Sequence, residues 1–254
     1  MKIAVITGAS SGMGREFVRQ LDRDEVFDEL WLIARRRERL EELQSEVRAK
    51  VRPIALDLTD PASFDTYRAL LEEHKPDIAV LVNAGGFGKF KAFADLTLEE
   101  QTNMVDLNVK ALMSMTYLSL PYLHEGSRVY QMGSMSSFQP VPYINVYAAT
   151  KAFVLSFSRS LNVEWRGRGI RVMAVCPFWV KTEFFDRART DDTISYYSHY
   201  YEADEVVTRA LKDMKRGRDV SVCGAAARRQ MRLVKLLPHR LVMKIWCKQQ
   251  HLPY

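Results

Sequence analysis

The chain has 254 residues, of which 37 are lysine or arginine and 31 are aspartate or glutamate, so its net charge is +6. No uninterrupted apolar run approaches the ~18 residues of a membrane span, and the three cysteines, Cys176, Cys223 and Cys247, follow no disulfide or zinc pattern. These features argue against a membrane-spanning protein and a disulfide-stapled secreted domain, and we assign no metal.

The chain opens with a strand, a glycine turn and a helix. Lys2–Ile6 is an apolar run typical of a buried parallel strand. The glycine turn Thr7–Gly14 follows, and Arg15–Leu21 then carries apolar residues at helical spacing. Such a turn lets the backbone approach a pyrophosphate, and the free N–H groups of the helix amino terminus face the phosphates. This order of elements therefore predicts a dinucleotide-binding site.

The end of the second predicted strand distinguishes between two cofactors. Glu29–Ala34 is the next apolar run, and three arginines, Arg35, Arg36 and Arg37, follow it. An NAD-binding protein usually has an acidic residue there to hold the ribose hydroxyls. Guanidinium groups would instead attract the 2′-phosphate, so we expect NADP(H) to be preferred over NAD(H). The alternative is that these arginines are only the solvated start of a predicted helix over Arg36–Arg48.

Strand-like runs continue to alternate with helical patterns along the chain. The runs are Val51–Leu56, Ile78–Val82, Ser127–Met132 and Ile170–Cys176. This alternation predicts an α/β fold, with a doubly wound parallel sheet and helices on both faces, in a single domain over residues 1–254. The opening segment is too short for a signal peptide, and we expect a cytoplasmic protein.

Three polar residues in the second half of the chain are candidates for catalysis. Tyr147 and Lys151 are four residues apart, so on a helix they project from the same face. A phenol has an ordinary pKa of about 10, and an adjacent cation lowers that pKa. Ser134 would lie at the end of the preceding strand, where its hydroxyl can bond a substrate oxygen. Tyr147 and Lys151 would otherwise be a surface pair.

The excess positive charge lies in the carboxyl-terminal tail. Residues 219–254 contain seven basic residues and one acidic residue, and apolar residues recur every three or four positions over 228–250. Pro238 is expected to divide this basic amphipathic segment into two helices. We expect the segment to pack on its own domain or a second subunit, as a cover for a substrate cleft. A lipid-bound role on an anionic membrane is the less favoured alternative, and no nucleic-acid module accompanies the charge.

Together these motifs resemble the short-chain dehydrogenase/reductase family over nearly the whole chain. The resemblance implies a Rossmann-like fold and adds Asn108 as the fourth member of a catalytic tetrad with Ser134, Tyr147 and Lys151. It implies that the cofactor is bound by the glycine segment, the arginines, the ends of the third and fourth strands, the tyrosine and lysine, and the segment after the sixth strand. These residues are Gly8, Ser10, Ser11, Gly12, Met13, Gly14, Arg35, Arg36, Asp57, Leu58, Asn83, Ala84, Gly85, Tyr147, Lys151, Pro177, Val180 and Thr182.

Two segments depart from the family pattern. The fourth-strand motif continues through Gly85, Gly86 and Gly88, so it can be aligned one residue either way. Phe178 replaces the glycine of the Pro-Gly-x-Val-x-Thr segment, and its ring should narrow the space beside the nicotinamide or change the local turn.

The resemblance also implies a reaction. A hydride would pass between the nicotinamide and a carbonyl carbon while Tyr147 gives a proton to the oxygen, and Ser134 would orient the carbonyl. Lys151 would lower the pKa of Tyr147 and hold the nicotinamide ribose, and Asn108 would hold a water that links Lys151 to solvent. A homodimer or homotetramer is expected.

The substrate is suggested by aromatic residues. Residues 183–201 resemble a mobile lid and contain Phe184, Phe185, Tyr196, Tyr197, Tyr200 and Tyr201. With Phe138, Tyr143, Phe178 and Trp179 they would line an apolar pocket for a bulky hydrophobic ketone or alcohol, such as a steroid or bile acid. The alternatives are ordinary packing of these rings, a 3-oxoacyl thioester as substrate, and a non-catalytic NADP(H)-sensing protein.

Overall fold

A computed structural model of the protein describes residues 1–189, 191–197 and 199–254. Its main sheet has seven parallel strands in the order β3-β2-β1-β4-β5-β6-β9. These strands are β1 (Lys2–Thr7), β2 (Glu29–Ala34), β3 (Lys50–Ala55), β4 (Asp77–Asn83), β5 (Arg128–Met132), β6 (Arg171–Val175) and β9 (Val220–Ser221). Two short strands, β7 (Trp179–Val180) and β8 (Tyr200–Tyr201), pair with each other beside it.

Helices cover both faces of the sheet. They are α1 (Gly12–Asp24), α2 (Arg37–Glu41), α3 (Ala62–His74), α4 (Leu98–Val105), α5 (Leu112–Ser119), α6 (Asn145–Glu164), α7 (Phe184–Ala188), α8 (Ala203–Lys215), α9 (Ala225–Leu236) and α10 (His239–Gln249). Helices α1, α2 and α8 share one hydrophobic core with one face of β1, and α3, α5 and α6 share another with the opposite face. Alternate residues of β1 are buried on opposite faces because side chains alternate along a strand. The doubly wound parallel architecture is confirmed.

The carboxyl ends of the parallel strands place the candidate residues at one edge. Gly8, Ala84 and Ser134 follow β1, β4 and β5, which are neighbours in the sheet. In open α/β sheets, ligands bind at this edge, in the crevice where the strand order reverses. In this sheet the order reverses at β1, which lies between β2 and β4.

Two elements differ from the sequence-based expectation. The helix predicted over Arg36–Arg48 ends at Glu41 and continues as a 3₁₀ turn over Glu42–Ser45. The chain leaves the helix because the Gln44 amide accepts a hydrogen bond from Val51 N and donates one to Ala49 O, which turns the backbone into β3. Strand β9 was not predicted because two residues carry no periodic signal.

The basic amphipathic segment forms α9 and α10, separated at Leu237 and Pro238 as predicted. Its apolar residues Val234 and Val242 are buried in a cluster with Met135. The tail therefore packs on its own domain. Within the described part of the chain, every helix is too short or too polar to pass through a bilayer.

Candidate active site

Tyr147 and Lys151 lie on one face of α6, near its amino terminus. Both side chains are buried, with 9% of Tyr147 and 4% of Lys151 exposed. Lys151 Nζ lies 5.6 Å from the centroid of the Tyr147 ring and donates a hydrogen bond of 2.8 Å to Met132 O at the end of β5. The predicted helical pairing is thus present, and the pair is part of the interior of the protein.

Burial changes the protonation of both residues. It raises the pKa of Tyr147 to about 12, against a smaller lowering by the hydrogen bond with Ser134. It also lowers the pKa of Lys151 to about 8. The expectation that Lys151 lowers the pKa of Tyr147 is wrong for this structure. The physical reason is that removal from water penalises the charged phenolate and the charged ammonium, and for Tyr147 this penalty outweighs the hydrogen bond with Ser134.

Ser134 stands two residues beyond β5, at the start of a 3₁₀ turn over Met135–Phe138. Its hydroxyl accepts a hydrogen bond from Ser136 N at 3.2 Å, and its backbone N–H donates to Ser137 Oγ at 3.0 Å. These local bonds hold the hydroxyl beside Tyr147. Ser134, Tyr147 and Lys151 all line the same cavity, so the structure brings them together.

Asn108 is fully buried in a π-helical turn over Asp106–Ala111 between α4 and α5. Its Nδ2 donates to Phe87 O at 2.8 Å and to Thr150 Oγ1 at 3.1 Å, and its Oδ1 accepts from Phe87 N at 3.0 Å. The amide hydrogens are therefore both used by protein atoms. A water held by this side chain would have to donate to Oδ1, which has one lone pair left.

The glycine turn between β1 and α1 packs so closely on neighbouring backbone that some of its positions have no room for a side chain. A Cβ atom on Gly14 would lie 2.2 Å from Gly8 O, and one on Gly8 would lie 2.7 Å from Gly85 N. Gly8 also has a φ of +67°, in the left-handed region that favours glycine. On the other side, a Cβ on Gly12 would approach Thr182 Cγ2 to 3.1 Å. Of the remaining predicted residues here, Met13 lines the cavity and Ser11 caps α1 through its backbone.

The arginines after β2 contact different partners in the structure. Arg36 Nη2 donates to Ser10 Oγ of the glycine turn at 3.2 Å, and Arg36 Nη1 donates to Glu183 Oε2 at 3.0 Å. Arg39, one turn along α2, bonds the other oxygen of Glu183. Arg35 instead lies 3.7 Å from Asp57 Oδ2. The guanidinium group beside the glycine turn therefore belongs to Arg36, with Arg39 close by.

Some residues of the segments after β3 and β4 are buried in the core, and others line the cavity. Leu58 is buried in the core, so only its backbone can face a ligand. Asn83 Nδ2 donates to Thr116 Oγ1 and Gln131 Oε1, so Asn83 ties two strands to α5. Its Oδ1 is buried without a partner among the described residues. Ala84 and Gly86 line the cavity, and Gly85 N donates to Thr7 Oγ1 at 3.1 Å.

Gly86 settles the alignment of the fourth-strand motif in space. A Cβ on Gly86 would lie 2.9 Å from Asn108 Oδ1 and 3.3 Å from Lys151 Nζ, whereas a Cβ on Gly85 would only reach ordinary contact with Thr7. Gly86 is thus the glycine that lies beside Asn108 and Lys151, and it is not among the residues that the sequence predicted.

The segment after β6 closes the site from the other side. Pro177 O accepts a hydrogen bond from Met135 N at 2.9 Å, and Pro177, Val180 and Thr182 all line the cavity. Phe178 also lines it and stacks at an angle on Trp179, with centroids 5.8 Å apart. The ring of Phe178 therefore forms part of the cavity wall.

The cavity has a volume of about 350 Å³ and is mainly apolar. Tyr147 lines it, and the lid contributes Phe184, Phe185 and Tyr196. Tail helices contribute Leu233, Val234, Leu237, Val242, Ile245 and Trp246. Among the described residues of its lining, Lys151 alone has a charged side chain.

Five of the ten aromatic residues predicted for this cavity do not line it, namely Tyr197, Tyr200 and Tyr201 of the lid together with Phe138 and Tyr143. Phe138 is buried under Lys235, whose Nζ lies 4.9 Å from the ring centroid, and Tyr143 directs its hydroxyl to Pro253 O at 3.3 Å. Both rings are used by the tail for packing. Thr190 and Ser198 of the predicted lid lie outside the described residues.

The comparisons with known proteins identify the family. A family model described as short chain dehydrogenase matches residues 2–193. The chain belongs to the short-chain dehydrogenase family. It is therefore an oxidoreductase that acts on CH–OH or C=O groups.

Individual members of the short-chain dehydrogenase family are similar over most of the chain. Sulfoacetaldehyde reductase 2 of Chromohalobacter salexigens is 36% identical over 188 residues, which cover 72% of this chain and 74% of that protein. Human very-long-chain 3-oxoacyl-CoA reductase is 30% identical over 190 residues, covering 71% of this chain and 60% of that protein. The structure of a short-chain dehydrogenase from Sphingobium yanoikuyae in complex with NADPH has a TM-score of 0.79 and 30% identity, covering 94% of this chain and 97% of that one.

Three residues of this short-chain dehydrogenase site were missed by the sequence reasoning. Gly86 was hidden by the repeated glycines, and Arg39 by its place within a predicted helix. Gln250, at the end of α10, bonds the lid backbone at Ser195 and Tyr196. Only the helical spacing of Arg39 from Arg36 offered a signal, because residues three apart share a face.

Proposed function

We propose that this protein is an NADP(H)-dependent oxidoreductase that transfers a hydride between the nicotinamide and the carbonyl or secondary alcohol of a bulky hydrophobic substrate, such as a steroid or bile acid. The observation that carries the proposal is the cavity. The proposal is supported by the lining of this apolar cavity, which includes Ser134, Tyr147 and Lys151 together with residues of the lid and of the tail.

The residues after β1 and β2 fit a dinucleotide with a 2′-phosphate. The absence of side chains at Gly8 and Gly14 lets the turn pack closely on Gly85 and on itself, and the turn leads into the amino terminus of α1, whose free N–H groups would bind a pyrophosphate. Arg36, bonded to Ser10 of that turn, would bind the 2′-phosphate. Arg35 and Asp57 would flank the adenosine. The bound cofactor supplies or accepts the hydride.

The protein's own residues would manage the proton and the carbonyl. Because the pKa of Tyr147 is about 12, this phenol is neutral near pH 7 and ready to donate its proton to the substrate oxygen. The hydroxyl of Ser134 would donate a second hydrogen bond to the same oxygen. Lys151, held at Met132 O, would hold the nicotinamide ribose and keep a positive charge near the phenol.

The apolar lining favours an uncharged, bulky substrate. Leu233, Ile245 and Trp246 of the tail line the cavity together with the lid residues Phe184 and Phe185. A small anionic substrate would require a cationic partner, and Lys151 is already committed to the reaction centre. Burial of hydrophobic rings contributes about 25 cal/mol of favourable free energy per Å² of apolar surface, so a larger hydrophobic substrate would bind more tightly to this lining.

A 3-oxoacyl thioester is the second candidate substrate. It is supported by the similarity to a very-long-chain 3-oxoacyl-CoA reductase. Its acyl chain would need the same apolar walls, and the basic tail would attract the acidic carrier. A non-catalytic NADP(H) sensor is the third candidate, although all four tetrad positions are filled.

The experiment is an NADPH oxidation assay by absorbance with steroids, bile acids, 3-oxoacyl esters and small aromatic ketones, in parallel with NADH. Turnover that is lost in Tyr147→Phe, and an NADPH preference lost in Arg36→Ala, would support the proposal. Arg37→Ala is the matched control, because Arg37 bonds Glu41 on the exposed side of α2. NADPH binding without turnover of any ketone, in the wild type, would favour the sensor.

A further inference from the structure

A carboxylate of the chain itself lies on the two arginines of the proposed phosphate site. Glu183 Oε2 accepts from Arg36 Nη1 at 3.0 Å, and Glu183 Oε1 accepts from Arg39 Nη1. Arg36 simultaneously donates its other terminal nitrogen to Ser10 Oγ. The hydrogen bond from Arg39 holds the pKa of Glu183 below its usual range, so the group is an anion. An anion of this protein therefore occupies the donors that a 2′-phosphate would need.

Glu183 also connects the glycine turn to the lid, because its two neighbours along the chain contact different parts of the site. The residue before it, Thr182, is the neighbour that a Cβ on Gly12 would approach to 3.1 Å. The residue after it, Phe184, opens α7 and places its ring 5.6 Å from the ring of Tyr147. The ion pair with Arg36 and Arg39 thus fastens the first helix of the lid to the start of α2.

The two anions cannot share these donors without repulsion. A phosphate monoester carries a charge of about −1.5 to −2 at neutral pH and prefers bidentate bonds from arginine. The side chains of Glu183, Arg36 and Arg39 are 43%, 34% and 39% exposed, so solvent screens their ion pairs and the carboxylate is exchangeable. A 2′-phosphate would displace Glu183, whereas a cofactor without this phosphate would leave it in place.

We infer that the carboxylate of Glu183 is an internal stand-in for the 2′-phosphate of NADP(H). Binding of NADP(H) displaces this carboxylate from Arg36 and Arg39, and the displacement couples cofactor binding to release of the lid helix α7. The inference rests on the proposed NADP(H) function and deepens it. It makes Arg39 a second phosphate-binding residue, and it makes Glu183 a positioning residue that restrains the lid until the phosphate arrives.

The test measures dissociation constants of NADPH, NADH and 2′,5′-ADP by calorimetry for the wild type, Glu183→Gln, Arg39→Ala and Arg36→Ala. Glu183→Gln keeps the size of the side chain and removes the competing charge. It should lower the dissociation constants of NADPH and 2′,5′-ADP about three- to tenfold and change that of NADH less than about twofold, as expected for loss of exposed ion pairs. Glu41→Gln, which removes a carboxylate paired with Arg37 on the same helix, is the matched control and should change none of them.

Amide hydrogen exchange over residues 184–188 supplies the second readout. In the wild type, 2′,5′-ADP should speed exchange in α7, although this ligand carries no nicotinamide, and in Glu183→Gln exchange should already be fast without ligand. Unchanged NADPH affinity in Glu183→Gln, or no effect of 2′,5′-ADP on α7, would overturn the inference. Weaker NADH binding by Glu183→Gln would also overturn it, because Glu183 would then be a ribose-binding acid.

The arginine variants separate this inference from the proposed function. If Arg36→Ala and Arg39→Ala leave the NADPH to NADH affinity ratio at the wild-type value, the NADP(H) assignment fails, and the stand-in role fails with it. If the ratio falls in both variants while Glu183→Gln has no effect, NADP(H) remains the cofactor and only the stand-in role is lost.

Discussion

Asn108 and Phe87 are joined by a pair of hydrogen bonds, from Asn108 Nδ2 to Phe87 O at 2.8 Å and from Phe87 N to Asn108 Oδ1 at 3.0 Å. The buried amide therefore acts as a backbone partner for the loop that follows β4. This loop carries Gly86 past Lys151. The π-helical turn around Asn108 is a rare form that is frequent at functional sites, and here it places the amide opposite Phe87.

We predict that Asn108→Ala lowers the free energy of unfolding by about 2–4 kcal/mol, because it leaves the part-buried backbone N–H and C=O of Phe87 unpaired. Urea unfolding measures this change. Turnover should fall at least tenfold as the loop moves away from Lys151. Asn103→Ala, on the preceding helix, is the control, because the Asn103 side chain makes no hydrogen bond with the described residues. Full stability together with lost turnover would contradict the anchoring role and indicate a direct part in catalysis.

Gly86→Ala should reduce turnover far more than Gly85→Ala. A methyl group on Gly86 would lie 2.9 Å from Asn108 Oδ1, which is fixed by Phe87, so either the loop or the amide must shift. The same group on Gly85 would meet Thr7 Oγ1 at 3.4 Å, which is ordinary contact. Turnover numbers of the two variants, compared at saturating NADPH, check the prediction. Equal turnover of the two variants would contradict a specific requirement for glycine at position 86.

The pH dependence should differ between the two directions of the reaction. Tyr147, with a pKa of about 12, stays protonated from pH 6 to 8, so its ability to donate a proton in reduction is constant. Oxidation needs the phenolate, whose fraction rises about tenfold per pH unit below the pKa. We therefore expect kcat/KM for alcohol oxidation to rise about tenfold per unit over this range and kcat/KM for reduction not to rise.

Lys151 sets the upper limit of the pH range over which these two profiles hold. Its pKa of about 8 means that its charge is lost above pH 8, where both profiles should bend downwards. Tyr147→Phe is the control and should abolish the slope together with the activity. A reduction rate that rises with pH between 6 and 8 would show that another group donates the proton.

Gln250 should control the lid through the tail. Its Oε1 accepts from Ser195 N at 3.1 Å and Tyr196 N at 2.9 Å, and its Nε2 donates to Tyr196 O at 3.0 Å. Gln250→Ala removes these three bonds and should raise KM for a hydrophobic ketone about tenfold while the dissociation constant of NADPH stays within twofold. Lys248→Ala, at an exposed position on the same helix, is the control. Weaker NADPH binding in Gln250→Ala would place the effect in the fold rather than in the lid.

Sequence patterns predicted the parts of the site that depend on local spacing. The glycine turn between β1 and α1 could be recognised because its strand, turn and helix are contiguous. Tyr147 and Lys151 could be paired because four residues make about one helical turn. The short helix α2 and the two-residue strand β9 could not be predicted, because the bonds of Gln44 and the pairing with β6 join segments far apart in the chain.

The sequence by itself determined the doubly wound sheet and the family, because periodicity and contiguous motifs encode them. The tertiary structure decided the pKa values of Tyr147 and Lys151, since burial depends on everything packed around them. It also placed Glu183 on Arg36 and Arg39, more than 140 residues away along the chain, and it placed α10 over the cavity. Desolvation and long-range ion pairs arise only when distant segments meet, and no local pattern records that meeting.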